Sequence, residues 1–295
     1  MLLHLNKLPT NPSRVVVLGA NGFVGKAILR ELSASHINAL GIEKSKINLL
    51  DERSGKDLEN ILENGDILII AAARAPVKDF NMLLDNLKIL RPIIHAAQKI
   101  SLSHIVYISS DSVYSDSASP LIESSETNPI SLHGIMHNAR ELIIKSEIIG
   151  PLKIPLLIAR PTLIYGLEDP HNGYGPNRFS RLALNGEDIP IFGKGEELRD
   201  HVSIHDVATL IVEITRYRSS GILNIASGKT KSFKAIAEQI ISLTKQPIKI
   251  IQIPRIGEMP HNGFRPFNSR ATQLAFPNFE YTEISEGLSQ LLQEK

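Results

Sequence analysis

The chain of 295 residues contains no cysteine. It therefore has no disulfide, no thiolate metal ligand and no sulfur nucleophile, a composition that suits a reducing cytoplasm. It also lacks a surplus of charge. Its 32 basic and 31 acidic residues leave a net +1, without a basic run or tail, so nothing electrostatic favours nucleic acid or an anionic membrane as partner. No apolar run reaches the roughly 20 residues needed to span a bilayer. The first 13 residues carry Pro9 and Pro12 but no signal-type apolar core, and read as a short leader arm. There is no internal repeat and no low-complexity segment. What remains is a globular composition of ordinary hydropathy, long enough for a large core and a smaller appendage.

Against that background one stretch organises the rest. Arg14-Val15-Val16-Val17-Leu18 reads as a buried parallel strand, and it breaks into glycines at 19, 22 and 25 before a helix from Lys26 to Ser33. Gly19 permits a tight turn, Gly22 lets the backbone approach a ligand, and Gly25 lets the helix pack on the strand. The helix start then offers free N–H groups and a positive dipole end to a pyrophosphate. A second strand, Asn38 to Ile42, ends at Glu43, eighteen residues beyond Gly25. An acid at that spacing grips the adenosine ribose in dinucleotide folds. Lys44 and Lys46 raise the option of a 2′-phosphate, which Glu43 would repel. NAD is therefore favoured over NADP, and the lysines read as an exposed loop.

Further along, a helix (Gly55 to Glu63) leads to the strand Asp66 to Ile70 and to Ala71-Ala72-Ala73, whose small side chains leave room for a cofactor or for a close helix contact. A long helix, Phe80 to Lys99, precedes the strand His104 to Ser109. This βαβα alternation predicts a parallel doubly wound sheet with ligands at the strands' carboxyl ends. At such an end stand Ser109-Ser110-Asp111-Ser112-Val113-Tyr114, either turn residues or a polar site. Pro120 and Pro129 punctuate a loop before a helix near Ser131.

These motifs together resemble the extended short-chain dehydrogenase/reductase family, in its nucleotide-sugar epimerase and dehydratase branch. The family's Gly-x-x-Gly-x-x-Gly turn is matched by Gly19, Gly22 and Gly25, and its Ser-Ser/Thr-x-x-Val-Tyr strand end by Ser109 to Tyr114. Arg160-Pro161-Thr162-Leu163-Ile164-Tyr165-Gly166 is similar to its sixth strand. Ile191 to Gly195 and Arg199 to Val207 are similar to its nucleotide-binding stretch. The resemblance runs from about Arg14 to Pro277. It implies α/β architecture: a Rossmann-type doubly wound parallel sheet over residues 1–166, with a return of the chain near 202–226. A smaller C-terminal α/β domain, mainly substrate-binding, would occupy 167–295. The candidate cofactor residues are Gly19, Asn21, Gly22, Phe23, Val24, Gly25, Glu43, Asn48, Leu49, Ala71, Ala72, Ala73 and Pro161. For the substrate the resemblance implies Phe192 against the base and Arg199 and Arg265 on the diphosphate, with Ser112 and Arg178 as further contacts. The plainer alternatives are core packing for Phe192 and an ion pair for Arg199-Asp200.

The chain departs from the family where chemistry matters most. The family helix reads Pro-x-Ser-x-Tyr-Gly-x-Ser-Lys-x-x-x-Glu; here the tyrosine slot holds His133 and the lysine slot His137. Residues four apart on a helix share a face, so both rings are expected in one cleft. Histidine titrates near 6.5 and tyrosine near 10, so His133 needs no acidifying cation to act as acid or base at neutral pH. His137 could still hydrogen-bond the cofactor ribose. Ser110 stands in the slot that bonds the reacting sugar oxygen. Asp111 stands where the dehydratases keep a leaving-group acid, and Ser112 replaces the glutamate that follows it there. The catalytic candidates are thus Ser110, Asp111, His133 and His137. A metal between the two histidines is disfavoured, because neither an intervening glutamate nor any cysteine is present.

The resemblance implies an NAD-dependent epimerase or dehydratase of a nucleotide sugar, acting by transient oxidation of a ring carbon. It also implies a homodimer through the apolar helices 80–99 and 131–146. Two alternatives stay open: an NAD(P)H-dependent ketosugar reductase, and a non-catalytic NAD or nucleotide-sugar binding protein.

Overall fold

The computed structural model describes residues 2–293; Met1, Glu294 and Lys295 lie outside the described residues. In chain order the first strands are β1 (Leu3–His4), β2 (Val15–Leu18), β3 (Ala39–Ile42), β4 (Ile67–Ile70), β5 (His104–Ile108) and β6 (Leu156–Pro161). They are followed by β7 (Leu163–Tyr165), β8 (Ile189–Phe192), β9 (Leu198–Ser203), β10 (Ser219–Ile225), β11 (Thr230–Ser232), β12 (Ile250–Ile253) and β13 (Phe264–Arg265). The helices begin with α1 (Phe23–Ala34), α2 (Ser54–Ile61), α3 (Phe80–Lys88), α4 (Leu90–Ala97), α5 (Leu132–Ile144) and α6 (Gly150–Leu152). They end with α7 (Pro176–Leu184), α8 (Ile204–Tyr217), α9 (Phe233–Thr244), α10 (Arg270–Ala275) and α11 (Ile284–Gln293). Among the described residues no helix is long and apolar enough to cross a membrane.

The chain divides into two units, one of residues 1–115, 123–161 and 207–224, the other of 116–122, 162–206 and 225–295. The division falls after Pro161 rather than at 166, because β7 pairs with β9 and so goes with the second unit.

Seven strands among the described residues of the first unit form one sheet in the order β1-β10-β6-β5-β4-β2-β3. Pairs from β3 through β6 are parallel, which gives the α/β, Rossmann-type architecture. Every residue of β2 and β4 is buried, the mark of strands covered on both faces. Each of those branched side chains contributes about 1.5–3 kcal/mol by leaving water. Because β2 has β3 on one side and β4 on the other, the chain leaves their carboxyl ends in opposite directions and opens a crevice there.

The single helix expected over 80–99 is instead two, α3 and α4, which meet at Ile89. Pro92 is the physical reason, since it has no N–H for the carbonyl of Lys88 and its ring crowds that turn. Helix α5 stops at Ile144, short of 146, and continues as a π-helical turn over Lys145–Ile149.

In the second unit β9 is the centre of a small mixed sheet, antiparallel to β11 and parallel to β7 and β13. A parallel pair, β8 with β12, stands apart from it. Phe179, Ile189, Ile191, Phe233, Ile236 and Ile240 form its core together with Leu288 of α11.

Candidate active site

The turn between β2 and α1 is built on close backbone contacts. Gly19 sits at φ +88°, and a Cβ there would meet the Cα and N of Ala72 at 2.8 Å. A Cβ on Gly25 would fall 2.1 Å from the carbonyl oxygen of Gly19, so the helix can approach the turn only without a side chain. Gly22 caps α1 without any side-chain bond to the first N–H groups, which leaves Phe23, Val24 and their neighbours able to face an anion. Glu43, at the end of β3, accepts a hydrogen bond from Asn21. Asn48 holds its loop by donating to Asp51 at 2.7 Å. Gly19, Asn21, Gly22, Glu43, Asn48, Leu49 and Ala71 to Ala73 line one cavity of about 200 Å³. Pro161, buried at the end of β6, is not part of that lining.

A second group lies at the end of β5. Ser110 caps the 3₁₀ turn Asp111–Val113, and its Oγ accepts from the N–H of Ser112 at 3.2 Å and from its hydroxyl at 2.9 Å. The Ser110 hydroxyl itself lies 3.3 Å from Oδ1 of Asp111, so the three side chains form one cluster. Helix α5 presses on this turn at Gly134, where a Cβ would strike the carbonyl oxygen of Ser112 at 2.1 Å. His133, the residue before that glycine, is half-buried. The ring of His137 stands 4.7 Å from it, centroid to centroid, and nearly perpendicular.

The two imidazoles differ in setting. His137 is only 5% exposed, which revises the expectation of two rings open to one cleft. Its Nδ1 is bound to the hydroxyl of Tyr107 at 2.8 Å, on β5 beneath the helix. Burial drives the His137 imidazole well below its ordinary pKa, and His133 and Arg140 push the same way. Arg140 is itself fully buried, with its guanidinium 5.1 Å from the centre of the Tyr107 ring and a hydrogen bond of 2.9 Å to the carbonyl of Ala72.

Below the cluster, Ser109 donates to Glu141 at 2.6 Å, and Glu141 takes a two-pronged bond from Arg160 at 2.9 and 2.6 Å. Arg160 donates to the hydroxyl of Tyr114, which donates to Asn224. Burial opposes the Arg160 charge, but Glu141 more than offsets this and holds its pKa above the ordinary value.

The second unit carries the other candidates. Arg199 and Arg265 are register partners on adjacent strands, both buried. Arg199 donates to Glu197 at 2.9 Å and to the carbonyl of Pro260 at 2.6 Å; Arg265 donates to Asp116 at 3.1 Å. Arg255 also pairs with Glu197. Arg199 therefore takes part in an internal ion pair with Glu197. Asp200 accepts from the N–H groups of Ser227 and Gly228 at 3.0 and 2.7 Å. Phe192, partly exposed, packs on Tyr174 at 4.9 Å, and its N–H bonds the tyrosine hydroxyl. Arg178 lies near the start of α7, half-buried. Sequence reasoning missed Tyr107, Arg140 and Tyr174. Only Arg140 carried a signal, since it shares the buried helix phase of Met136, His137 and Ile144.

A comparison with family profiles matches residues 15–226 to the NAD dependent epimerase/dehydratase family. The chain belongs to that family. It is accordingly an enzyme of the epimerase/dehydratase type, with NAD as cofactor. UDP-N-acetyl-alpha-D-glucosaminuronate decarboxylase of Bacillus cytotoxicus is 27% identical over 290 residues, covering 87% of this chain and 88% of its own. Among solved structures, UDP-glucose 4-epimerase with UDP-glucose from Thermotoga maritima matches with TM-score 0.82 at 18% identity, over 95% of this chain and 97% of its own. UDP-N-acetylglucosamine 4-epimerase from Methanobrevibacter ruminantium, in complex with UDP-N-acetylmuramic acid, matches with TM-score 0.80 at 22% identity, over 96% and 98%. At such identities these two structures speak for the Rossmann-type fold. The residues present fit the family's cofactor: Gly19, Gly22 and the small Ala71 to Ala73 line the cavity at the carboxyl end of β2, and the Glu43 carboxylate lies on the same lining.

Proposed function

We propose that the chain acts on a nucleotide sugar by transient oxidation of a ring carbon, with His133 in place of the usual tyrosine as acid and base. The observation that carries this reading is the contact of Gly134 with the Ser112 carbonyl, which seats the helix bearing His133 on the polar turn of Ser110, Asp111 and Ser112. NAD, when bound, supplies the hydride acceptor. The His133 imidazole takes the proton of the sugar hydroxyl as the carbonyl forms and returns it on reduction. The Ser110 hydroxyl bonds the same oxygen. Asp111 is suited to protonate a leaving hydroxyl, but Ser112 offers no carboxylate beside it, which favours epimerisation over loss of water. Phe192, Arg199 and Arg265 bind the nucleotide in this reading, the arginines by their fixed fork of donors, with Arg178 as a further contact. The relatives named for UDP-sugars make UDP the first nucleotide to test. His137, neutral and bound to Tyr107, contributes no charge.

A homodimer belongs to the same reading. Leu132, Ile135 and Leu142 share one face of α5 and remain exposed.

The test is to denature the purified protein and identify released small molecules by mass spectrometry, then to incubate wild type and His133→Phe with a panel of UDP-sugars. Stoichiometric NAD, product formation by wild type and a loss of about 10²–10⁴-fold in the variant are expected, the range of one acid–base group. Product mass separates epimerisation from loss of water or of carbon dioxide. Light scattering at twice the chain mass is expected of the same sample, and a single-chain mass would remove the dimer. An empty protein that needs added NAD(P)H would establish the reductase alternative, and an unchanged rate in His133→Phe would remove His133 from the chemistry.

A further inference from the structure

Tyr107 is fully buried on β5, and its hydroxyl has one hydrogen-bond partner among the described residues, Nδ1 of His137 at 2.8 Å. A buried hydroxyl whose proton meets no acceptor is costly. If His137 donated from Nδ1, the phenol would accept and its own proton would have nowhere to go. The phenol must therefore be the donor and Nδ1 the acceptor. The phenolic O–H is also the group that stays protonated, since burial raises its pKa. Arg140 also packs on the Tyr107 ring: its guanidinium lies 5.1 Å from the ring centre and is anchored to the Ala72 carbonyl at 2.9 Å. That permanent charge also disfavours a second cation at His137.

We propose that Tyr107 is a positioning residue that locks His137 as the neutral tautomer with its proton on Nε2, beside the ring of His133. The lock keeps what a lysine in that slot would offer as a hydrogen-bond donor and removes its charge. A lysine ammonium one turn from His133 would oppose protonation of that imidazole; a neutral N–H donor does so far less, and the acid half of an acid–base cycle stays open to it. The fixed ring also limits how the His133 imidazole can turn, since the two stand perpendicular at 4.7 Å. This inference rests on the reading of His133 as the proton-transfer group.

The test is a long-range ¹H–¹⁵N spectrum of the labelled full-length protein at neutral pH, with His137 assigned by the signal lost in His137→Gln. A protonated Nε2 and an unprotonated Nδ1 are expected in wild type. Tyr107→Phe should show a mixture of tautomers at His137. On a UDP-sugar turned over by wild type, its kcat should fall about tenfold to a hundredfold, the scale on which partners of functional histidines act. KM and bound NAD should stay unchanged. A wild-type His137 protonated on Nδ1 or on both nitrogens overturns the proposal, as does a folded Tyr107→Phe with unaltered tautomer or unaltered kcat. If Tyr107→Phe does not fold, the wild-type spectrum decides alone. Full activity in His133→Phe would sink the reading of His133 while the spectrum still reports on the Tyr107–His137 lock, so the two failures are distinguishable.

Discussion

The two candidate regions are set against charge differently. At the α5 histidines of the first unit, the slot that the resemblance fills with a lysine carries a buried, neutral imidazole, and the Arg140 guanidinium nearby lies over a phenol ring and bonds a carbonyl. In the second unit the cations are kept: Arg199 and Arg265 stand side by side with Arg255 near them, and the carboxylates of Glu197 and Asp116 hold them in place. On the function proposed above, the difference fits what each half would meet. A group that must both take and give a proton is served by a neighbour without fixed charge. A group that must receive a diphosphate is served by fixed charge already oriented by counter-ions.

The largest way to sharpen this contrast is Glu141→Gln. Both partners of the Arg160–Glu141 pair are almost wholly buried, so removing one charge should cost about 3–5 kcal/mol of stability, read from denaturant midpoints, without altering affinity for UDP. A loss within experimental scatter would show that this pair is not what holds the end of β5.

A medium effect should come from acid. Burial lowers the pKa of His104 and of His201 from 6.5 to about 4, and lowers that of His137 as well. Above pH 6.5 these imidazoles are neutral whether the chain is folded or not. Below it the unfolded chain takes up protons that the folded chain refuses, so stability should fall steadily from pH 6.5 toward pH 4. Midpoints that stay level across that window would mean that these rings titrate freely.

The smallest effect is also the most direct test of the comparison. Glu197→Gln removes the shared counter-ion of Arg199 and Arg255. If those arginines await an anion, UDP should bind about tenfold more tightly by calorimetry, the scale of one partly screened charge. Weaker binding would mean that the acid is needed to aim the arginines, and no change would make the cluster structural.

How far the sequence could be read follows the same division. The glycines of the β2–α1 turn are legible because Gly19 and Gly25 answer to backbone contacts that a side chain would not fit, and the strands around it because burial on both faces demands unbroken branched runs. The break at Ile89 was visible as Pro92, yet the apolar spacing runs on through it and reads as one helix. The bond of Tyr107 to His137 was not legible, because an aromatic inside an apolar strand is indistinguishable from core and its partner lies thirty positions on. Strands β7, β11 and β13 are two or three residues long, too short for any alternation to register. The carboxylates that hold Arg199 and Arg265 come from two different stretches of chain, and that pairing is likewise invisible in a linear reading.

The segment that reads as a leader arm has another consequence. Leu3 and His4 run antiparallel to Ser219 and Ser220, and His4 stacks on Tyr217 at 4.4 Å, so the arm is a latch on the outer margin of the sheet. Residues 3 and 4 leave the ribosome long before residues 219 and 220 exist. The arm must wait, unattached, while the strands between are laid down, and the seam along this margin joins residues made 215 positions apart.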